Sequence, residues 1–242
     1  MIISLLSLAT MVAGMQLPPS PPPAPSPPSL RILFLGNSLT AWNDLPAIVQ
    51  SLADSAGRRA EVRLVTSGSL EDHWQAGTAL EALRRGGPWD FVVLQQGPSG
   101  LPASRANLVL WAQRWAAAIR QERAVPVMYM VWPDASRRSA FDSVSASYRE
   151  AAAAARALLA PAGDAWRAAW AERSALALYG DDDFHPSVLG SYLAALTIAS
   201  VVLERQPHAF PARLQAGARR IEVDSATVVL LRNAVASRLS PR

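Results

Sequence analysis

The sequence predicts an α/β protein built as three layers, α/β/α, around a doubly wound parallel sheet of about five strands. Three observations predict it. From Leu30 onward, short β-rich runs alternate with longer helical stretches. The β-rich runs are continuously apolar rather than alternating, as strands are when helices cover both faces of a parallel sheet. Several of them stop at small polar turns that lead into a helix, the βαβ pattern that right-handed crossovers wind into two helical layers.

The strand candidates are RILFLG (31–36), AEVRLVTSG (60–68), DFVVLQQG (90–97) and VPVMYMVW (125–132). A fifth is expected around Leu158 to Ala162 or Ser174 to Leu178. Helices are expected over about 44–57, 72–86, 103–123, 141–160, 187–205 and 224–238. In the third of these, Leu108, Trp111, Trp115, Ala118 and Ile119 recur at helical spacing and mark a core-facing stripe. Asn43 or Asp44 is expected to cap the first long helix.

The chain ahead of Leu30 is of a different kind. Residues 1–17, MIISLLSLATMVAGMQL, are uncharged and apolar with small residues near their end. That stretch is short for a membrane span and suits a signal-peptide core or N-terminal anchor, with cleavage expected after Gly14. Residues 18–29, PPSPPPAPSPPS, hold eight prolines in twelve positions and favour polyproline II, a semi-rigid spacer. The expectation is an exported protein (periplasmic, cell-surface or secreted) whose domain, residues 30–242, stands off from a membrane or wall.

Composition narrows the function. Half of the 242 residues are hydrophobic and 17% charged, which gives enough apolar surface for one well-filled domain. All 23 basic residues are Arg, and the formal charge is +4. The Arg pairs at 58–59, 84–85, 137–138 and 219–220 are scattered and not interleaved with aromatics, so solvated helix faces explain them better than a nucleic-acid surface. There is no cysteine, which removes disulfides, thiolate nucleophiles and thiolate metal sites. No metal or cofactor is expected.

The remaining nucleophiles are hydroxyls, and a hydroxyl needs a base. Of the three histidines, His73 follows Gly68 by five residues and His208 lies after Pro207. His185 stands out, because Asp181, Asp182 and Asp183 precede it and a helix begins just beyond Pro186. Asp182, three residues back, reaches the imidazole within one tight turn and is placed to fix its tautomer. At the end of the first strand, Gly36-Asn37-Ser38 puts a hydroxyl on a strand-to-helix turn. There the Ser38 N–H faces outward, and Gly68 at the end of the second strand offers another N–H with no side chain in the way. Such preorganised donors stabilise an oxyanion. Carboxyl ends of parallel strands are where ligands gather in this architecture. Trp42, Trp74, Trp89 and Trp132 lie near the same ends and are candidates to line a pocket, with helix–sheet packing the more common role for at least half of them.

These pieces, in this order, resemble the SGNH (GDSL-like) hydrolase superfamily over about residues 31–205. Gly36-Asn37-Ser38-Leu39-Thr40 is close to the family's Gly-Asp-Ser-Leu, with Asn37 where the family has Asp. Gly68 maps onto the glycine of the second block, and Asp182 and His185 onto the closing Asp-x-x-His. The third block departs: where the family has Gly-x-Asn-Asp, this chain reads VVLQQGPSG, with Ser99 near the Asn position. Gln95 and Gln96 are assigned as the substitute amide donors.

The resemblance implies a flavodoxin-like sheet and a secreted serine hydrolase of esterase, lipase or carbohydrate-ester deacetylase type. Ser38 would attack an ester carbonyl, His185 take its proton, and Asp182 orient His185. The oxyanion would be held by Ser38, Gly68, Gln95 and Gln96. The implied partner is a small-molecule, polysaccharide or lipid ester, with N-terminal membrane association and no nucleic acid. A catalytically weakened module binding glycan or lipid, and an acyltransferase using the same triad, remain alternatives. Acyl chain length and oligomeric state are not written in the motifs.

Overall fold

β1 (Leu30–Gly36) is the hub of the sheet in the computed structural model, which describes residues 29–239. The leader expected at 1–17 and the proline spacer up to residue 28 lie outside the described residues. β1 passes into a single helical turn, α1 (Ser38–Ala41), and then α2 (Leu45–Ser55). β2 (Ala60–Thr66) is followed by α3 (Leu70–Ala76) and α4 (Thr78–Gly86), β3 (Phe91–Leu94) by α5 (Pro102–Gln121), and β4 (Val125–Tyr129) by α6 (Phe141–Ala155). The chain closes with β5 (Leu158–Ala160), α7 (Ala162–Glu172), α8 (Val188–Val202), a hairpin of β6 (Arg213–Ala216) and β7 (Arg219–Glu222), and α9 (Ser225–Ala236).

The five main strands are all parallel in the order β2-β1-β3-β4-β5, the flavodoxin-like arrangement. The reversal of strand order occurs at β1. Its register sets Gly36 beside Thr66 of β2 and Leu35 beside Leu94 of β3, so three strands end together at one rim. β1 is buried along nearly its whole length, as a strand must be when helices lie on both sides. α2 packs on α8 against one face, and α5 packs on α6 against the other. α8 is apolar all round and buried from Gly190 to Val202, a helix enclosed by its neighbours.

The helix expected over 72–86 is two helices, because Gly77 at φ 75° ends one and starts the next. The helix expected to reach residue 160 stops earlier, where Arg156 turns left-handed at φ 49° and frees the chain to form β5. Of the two candidates for the fifth strand, 158–160 is the strand; Pro161 then opens α7, a helix the pattern did not suggest. Neither Asn43 nor Asp44 caps α2 through its side chain; both sit at φ 55° in a kink between α1 and α2. The hairpin β6–β7, also unexpected, turns at Gly217 (φ 55°) and rests on α2, where the Ser51 hydroxyl donates to Gln215 O at 2.5 Å.

The four Arg pairs are all exposed and dispersed over helix ends, loops and the hairpin. Among the tryptophans, Trp89 and Trp132 are buried. Trp132 stacks on Trp166 with centroids 3.6 Å apart, and Trp74 packs on Trp111 and Trp115. These three are packing residues, and Trp42 is the exception.

Candidate active site

The site is assembled at the carboxyl rim of β1, β2 and β3, and its geometry begins with Gly36. A Cβ there would lie 2.3 Å from Thr40 Oγ1 and 2.7 Å from Gln95 Oε1, so only glycine lets those side chains close over the strand end. The Asn37 side chain then caps α1, its Oδ1 accepting the Leu39 N–H at 3.0 Å. Its Nδ2 donates to Gly68 O at 3.2 Å. Asp at this position could cap in the same way but could not donate to that carbonyl, which gives Asn37 a physical role of its own. Ser38 follows as the first residue of the turn, exposed at the rim.

The partner loop lies between α7 and α8. An isolated bridge pairs Tyr179 with Pro186, and Gly180 N–H donates to His185 O at 2.7 Å, closing a tight loop. Asp182 organises its interior: Oδ1 accepts the N–H groups of Phe184 at 3.1 Å and His185 at 2.8 Å. From below, the Trp132 indole N–H donates to Phe184 O at 3.1 Å. Ser187 starts α8 by accepting the Gly190 N–H at 3.0 Å. A Cβ on Gly190 would lie 2.1 Å from Leu178 O, so this helix packs against the loop only because position 190 carries no side chain.

The two loops bring Ser38, His185 and Asp182 into a hydrogen-bonded line. His185 Nε2 lies 2.8 Å from Ser38 Oγ, and Nδ1 lies 2.5 Å from Asp182 Oδ2. The hydrogen bonds from the His185 side chain and from the His185 and Phe184 amides hold the Asp182 carboxyl down at about 2. Asp182 is therefore an acceptor only, so Nδ1–H donates to it, and the imidazole tautomer that does so leaves Nε2 as the acceptor facing Ser38 Oγ. A neutral imidazole oriented in this way can act as a general base towards Ser38.

Two backbone donors are open beside this line. Neither the Ser38 nor the Gly68 N–H is bonded to a protein acceptor among the described residues. Gly68 is exposed, and a Cβ there would sit 2.6 Å from Asp72 Oδ2, which is engaged by Ser69 in the capping box of α3.

Gln95 and Gln96 do not occupy the role assigned to them. Gln95 is 1% exposed; its Oε1 accepts the Asn37 N–H at 2.9 Å and the Thr40 hydroxyl at 2.6 Å, and its Nε2 donates to Gln96 O at 2.7 Å. Gln96 is also buried: Oε1 accepts the Leu70 N–H at 3.2 Å, and Nε2 donates to Ser99 Oγ at 3.0 Å. Both amides thus face inward and tie the rims of β1 and β3 and the start of α3 together. Ser99 lies in the same buried network, its hydroxyl donating to Gly97 O at 3.0 Å. Apolar flanks alone do not tell an amide aimed at substrate from one spent on the turn beneath it.

His73 is fully buried, and its Nε2–H donates to Gly36 O at 3.0 Å, bracing the end of β1 from below. Burial pushes its pKa down, against the opposing pull of the Gly36 carbonyl and Asp72. His208 is bonded to Asn233 Oδ1 at 3.0 Å and takes no part in the line. Trp42, a candidate pocket residue, and Asn43, expected as a helix cap, instead both face the His185 loop. Trp42 stacks on the His185 ring, and the Asn43 amide donates to Pro186 O at 2.9 Å and Ser191 Oγ at 3.0 Å.

A protein from Slackia heliotrinireducens assigned to the SGNH hydrolases matches this structure with a TM-score of 0.59 and 30% sequence identity, over 72% of this chain and 99% of its own. The chain belongs to the SGNH hydrolase superfamily. Two further solved structures share the fold. A DUF4886 family protein from Bacteroides uniformis has a TM-score of 0.67 at 18% identity, over 87% of this chain and 94% of that one. A lipase/acylhydrolase from Enterococcus faecalis has a TM-score of 0.56 at 16% identity, over 78% of this chain and all of that one. No protein-family model matches the sequence, and no curated protein matches it.

Proposed function

We propose that this SGNH hydrolase is an exported serine esterase that cleaves acyl esters of small molecules, polysaccharides or lipids through Ser38, His185 and Asp182. The observation that carries the reading is the unbroken line from Ser38 Oγ to His185 Nε2 at 2.8 Å and from His185 Nδ1 to Asp182 at 2.5 Å. Ser38 Oγ attacks the ester carbonyl while Nε2 takes its proton, and Asp182, ionised, stabilises the imidazolium. The Ser38 and Gly68 N–H groups donate to the oxyanion of the tetrahedral intermediate. The imidazolium then gives its proton to the departing alcohol. Water, deprotonated by the same Nε2, releases the acyl group from Ser38.

With Gln95 and Gln96 turned inward, the oxyanion site rests on two backbone donors. A missing donor costs on the order of 10²–10³ in rate, so turnover is expected to be slow against a family member with three. The test is hydrolysis of p-nitrophenyl acetate and butyrate by the intact chain. Ser38→Ala and His185→Ala should each reduce kcat to the background of the assay. Activity that survives either substitution ends the proposal.

A further inference from the structure

Trp42 is the one exposed tryptophan of the site, 44% accessible, yet its indole is not loose. Its ring lies over the His185 imidazole with centroids 4.1 Å apart and planes 18° from parallel. The backbone on either side of it is held. The Trp42 backbone N–H donates to Ser38 O. The next residue, Asn43, holds a left-handed backbone at φ 55° and uses it to reach the His185 loop, donating to Pro186 O at 2.9 Å and to Ser191 Oγ at 3.0 Å. The Phe184 ring also meets the imidazole, edge-on at 5.1 Å. The nucleophile turn thus carries an aromatic face to the base, and a dedicated tether keeps it in place.

We propose that Trp42 is a positioning residue for His185. Its indole holds the imidazole in the plane that serves Ser38 and favours the imidazolium formed when Nε2 takes the Ser38 proton. Hydrogen bonds at Nδ1 and Nε2 fix two points of the ring but leave it free to rock about the line between them; a stacked indole removes that freedom. A cation over an indole face is attracted to the ring quadrupole, most strongly for Trp among the aromatic side chains. The neutral ring gains less, so the contact tightens as charge develops on His185 and acts on the transition state more than on the ground state. This inference rests on the Ser38–His185–Asp182 reading above.

Two measurements on the intact chain test it: steady-state hydrolysis of p-nitrophenyl acetate, and the rate at which a fluorophosphonate labels Ser38. In the second, the Ser38 Oγ–P bond forms, the P–F bond breaks with loss of fluoride, and the hydroxyl proton passes to His185. Trp42→Leu should lower both kcat and the labelling rate about 2- to 30-fold with KM little changed. Trp42→Phe, which keeps an aromatic face, should recover most of the loss. Asn43→Gly keeps the left-handed backbone but removes the tether, and should fall in the same direction as Trp42→Leu. Unaltered rates in Trp42→Leu, or equal losses in the Leu and Phe variants, overturn the inference. So does a rise in KM at constant kcat, which would make the indole a substrate platform. A wild-type chain that neither turns over ester nor labels at Ser38 instead overturns the Ser38–His185–Asp182 reading, and the inference with it.

Discussion

The side chains of Gln95 and Thr40 meet directly over Gly36, the Thr40 hydroxyl donating to Gln95 Oε1 at 2.6 Å. The same oxygen accepts the Asn37 N–H at 2.9 Å. One buried amide just past the end of β3 thereby sets the turn that presents Ser38. This explains why a glycine precedes Asn37-Ser38, and why a glutamine stands in the third block.

Gln95→Ala should therefore behave as a turn mutant. It leaves a buried hydroxyl and an amide N–H without their acceptor, at a cost of about 1–3 kcal/mol for each group left unsatisfied. The expected outcome is a lower Tm together with a kcat reduced by about tenfold, both measured on the same preparation. An unchanged Tm with kcat down by 10²–10³ would instead show that the amide donates directly to the oxyanion.

Asp182→Asn tests the orientation of the base. Hydrogen bonds from the His185 side chain and from the His185 and Phe184 amides hold the carboxyl at about 2, so Asp182 is the acceptor that selects the Nδ1–H tautomer. An amide at 182 can present N–H to Nδ1, which favours the wrong tautomer and leaves Nε2 protonated. A fall in kcat on the order of 10²–10⁴ is expected, with KM far less affected. Because Asp182 Oδ1 also accepts the Phe184 and His185 amides, the variant's near-ultraviolet circular dichroism should be compared with that of the wild type.

His73 predicts a pH dependence of stability. Burial lowers its folded pKa below the ordinary 6.5, because the charged ring would need an acceptor for a second proton at Nδ1, which has no partner. The unfolded chain therefore binds more protons than the folded one between the two values. Stability from this group is complete above about pH 6.5 and is lost as pH falls towards the folded value, at no more than about 1.4 kcal/mol per pH unit. His73→Gln keeps a donor for Gly36 O and removes the titration. Urea unfolding at pH 7, 6 and 5 should show a flatter decline in the variant; parallel curves would show that His73 titrates alike in both states.

Motif and periodicity made much of this legible. β1, β3 and β4 are found near their expected positions because parallel strands buried on both faces are written as continuous apolar runs; β2 is found near its expected position too, although as an edge strand it is exposed at Glu61, Arg63 and Thr66. Ser38, Asp182 and His185 were legible for a different reason. Asp182 and His185 are joined by a local turn, and local geometry follows from spacing. The boundaries were less legible where one residue's backbone decided them: Gly77 at φ 75° split one expected helix, and Arg156 at φ 49° cut another short. The β6–β7 hairpin escaped because its strands are four residues each and mostly exposed.

By itself the sequence determined the layered α/β architecture, the order of its strands' appearance along the chain, and the chemical identity of a serine, a histidine and an aspartate at loop positions. Only the tertiary structure decided what those residues, and the amides near them, do to one another. Ser38 and His185 are 147 residues apart and meet at 2.8 Å because β1 and α8 pack into the same rim. Gln95 and Gln96, chosen as donors to substrate, face inward because buried N–H and hydroxyl groups at Asn37, Thr40 and Leu70 require acceptors. Trp42 stacks on His185 beside Asn43, which bonds the Pro186 carbonyl of the opposite loop and the Ser191 hydroxyl in the first turn of α8. Direction is a property of the packed chain: composition names the donor, and the buried groups around it determine where it points.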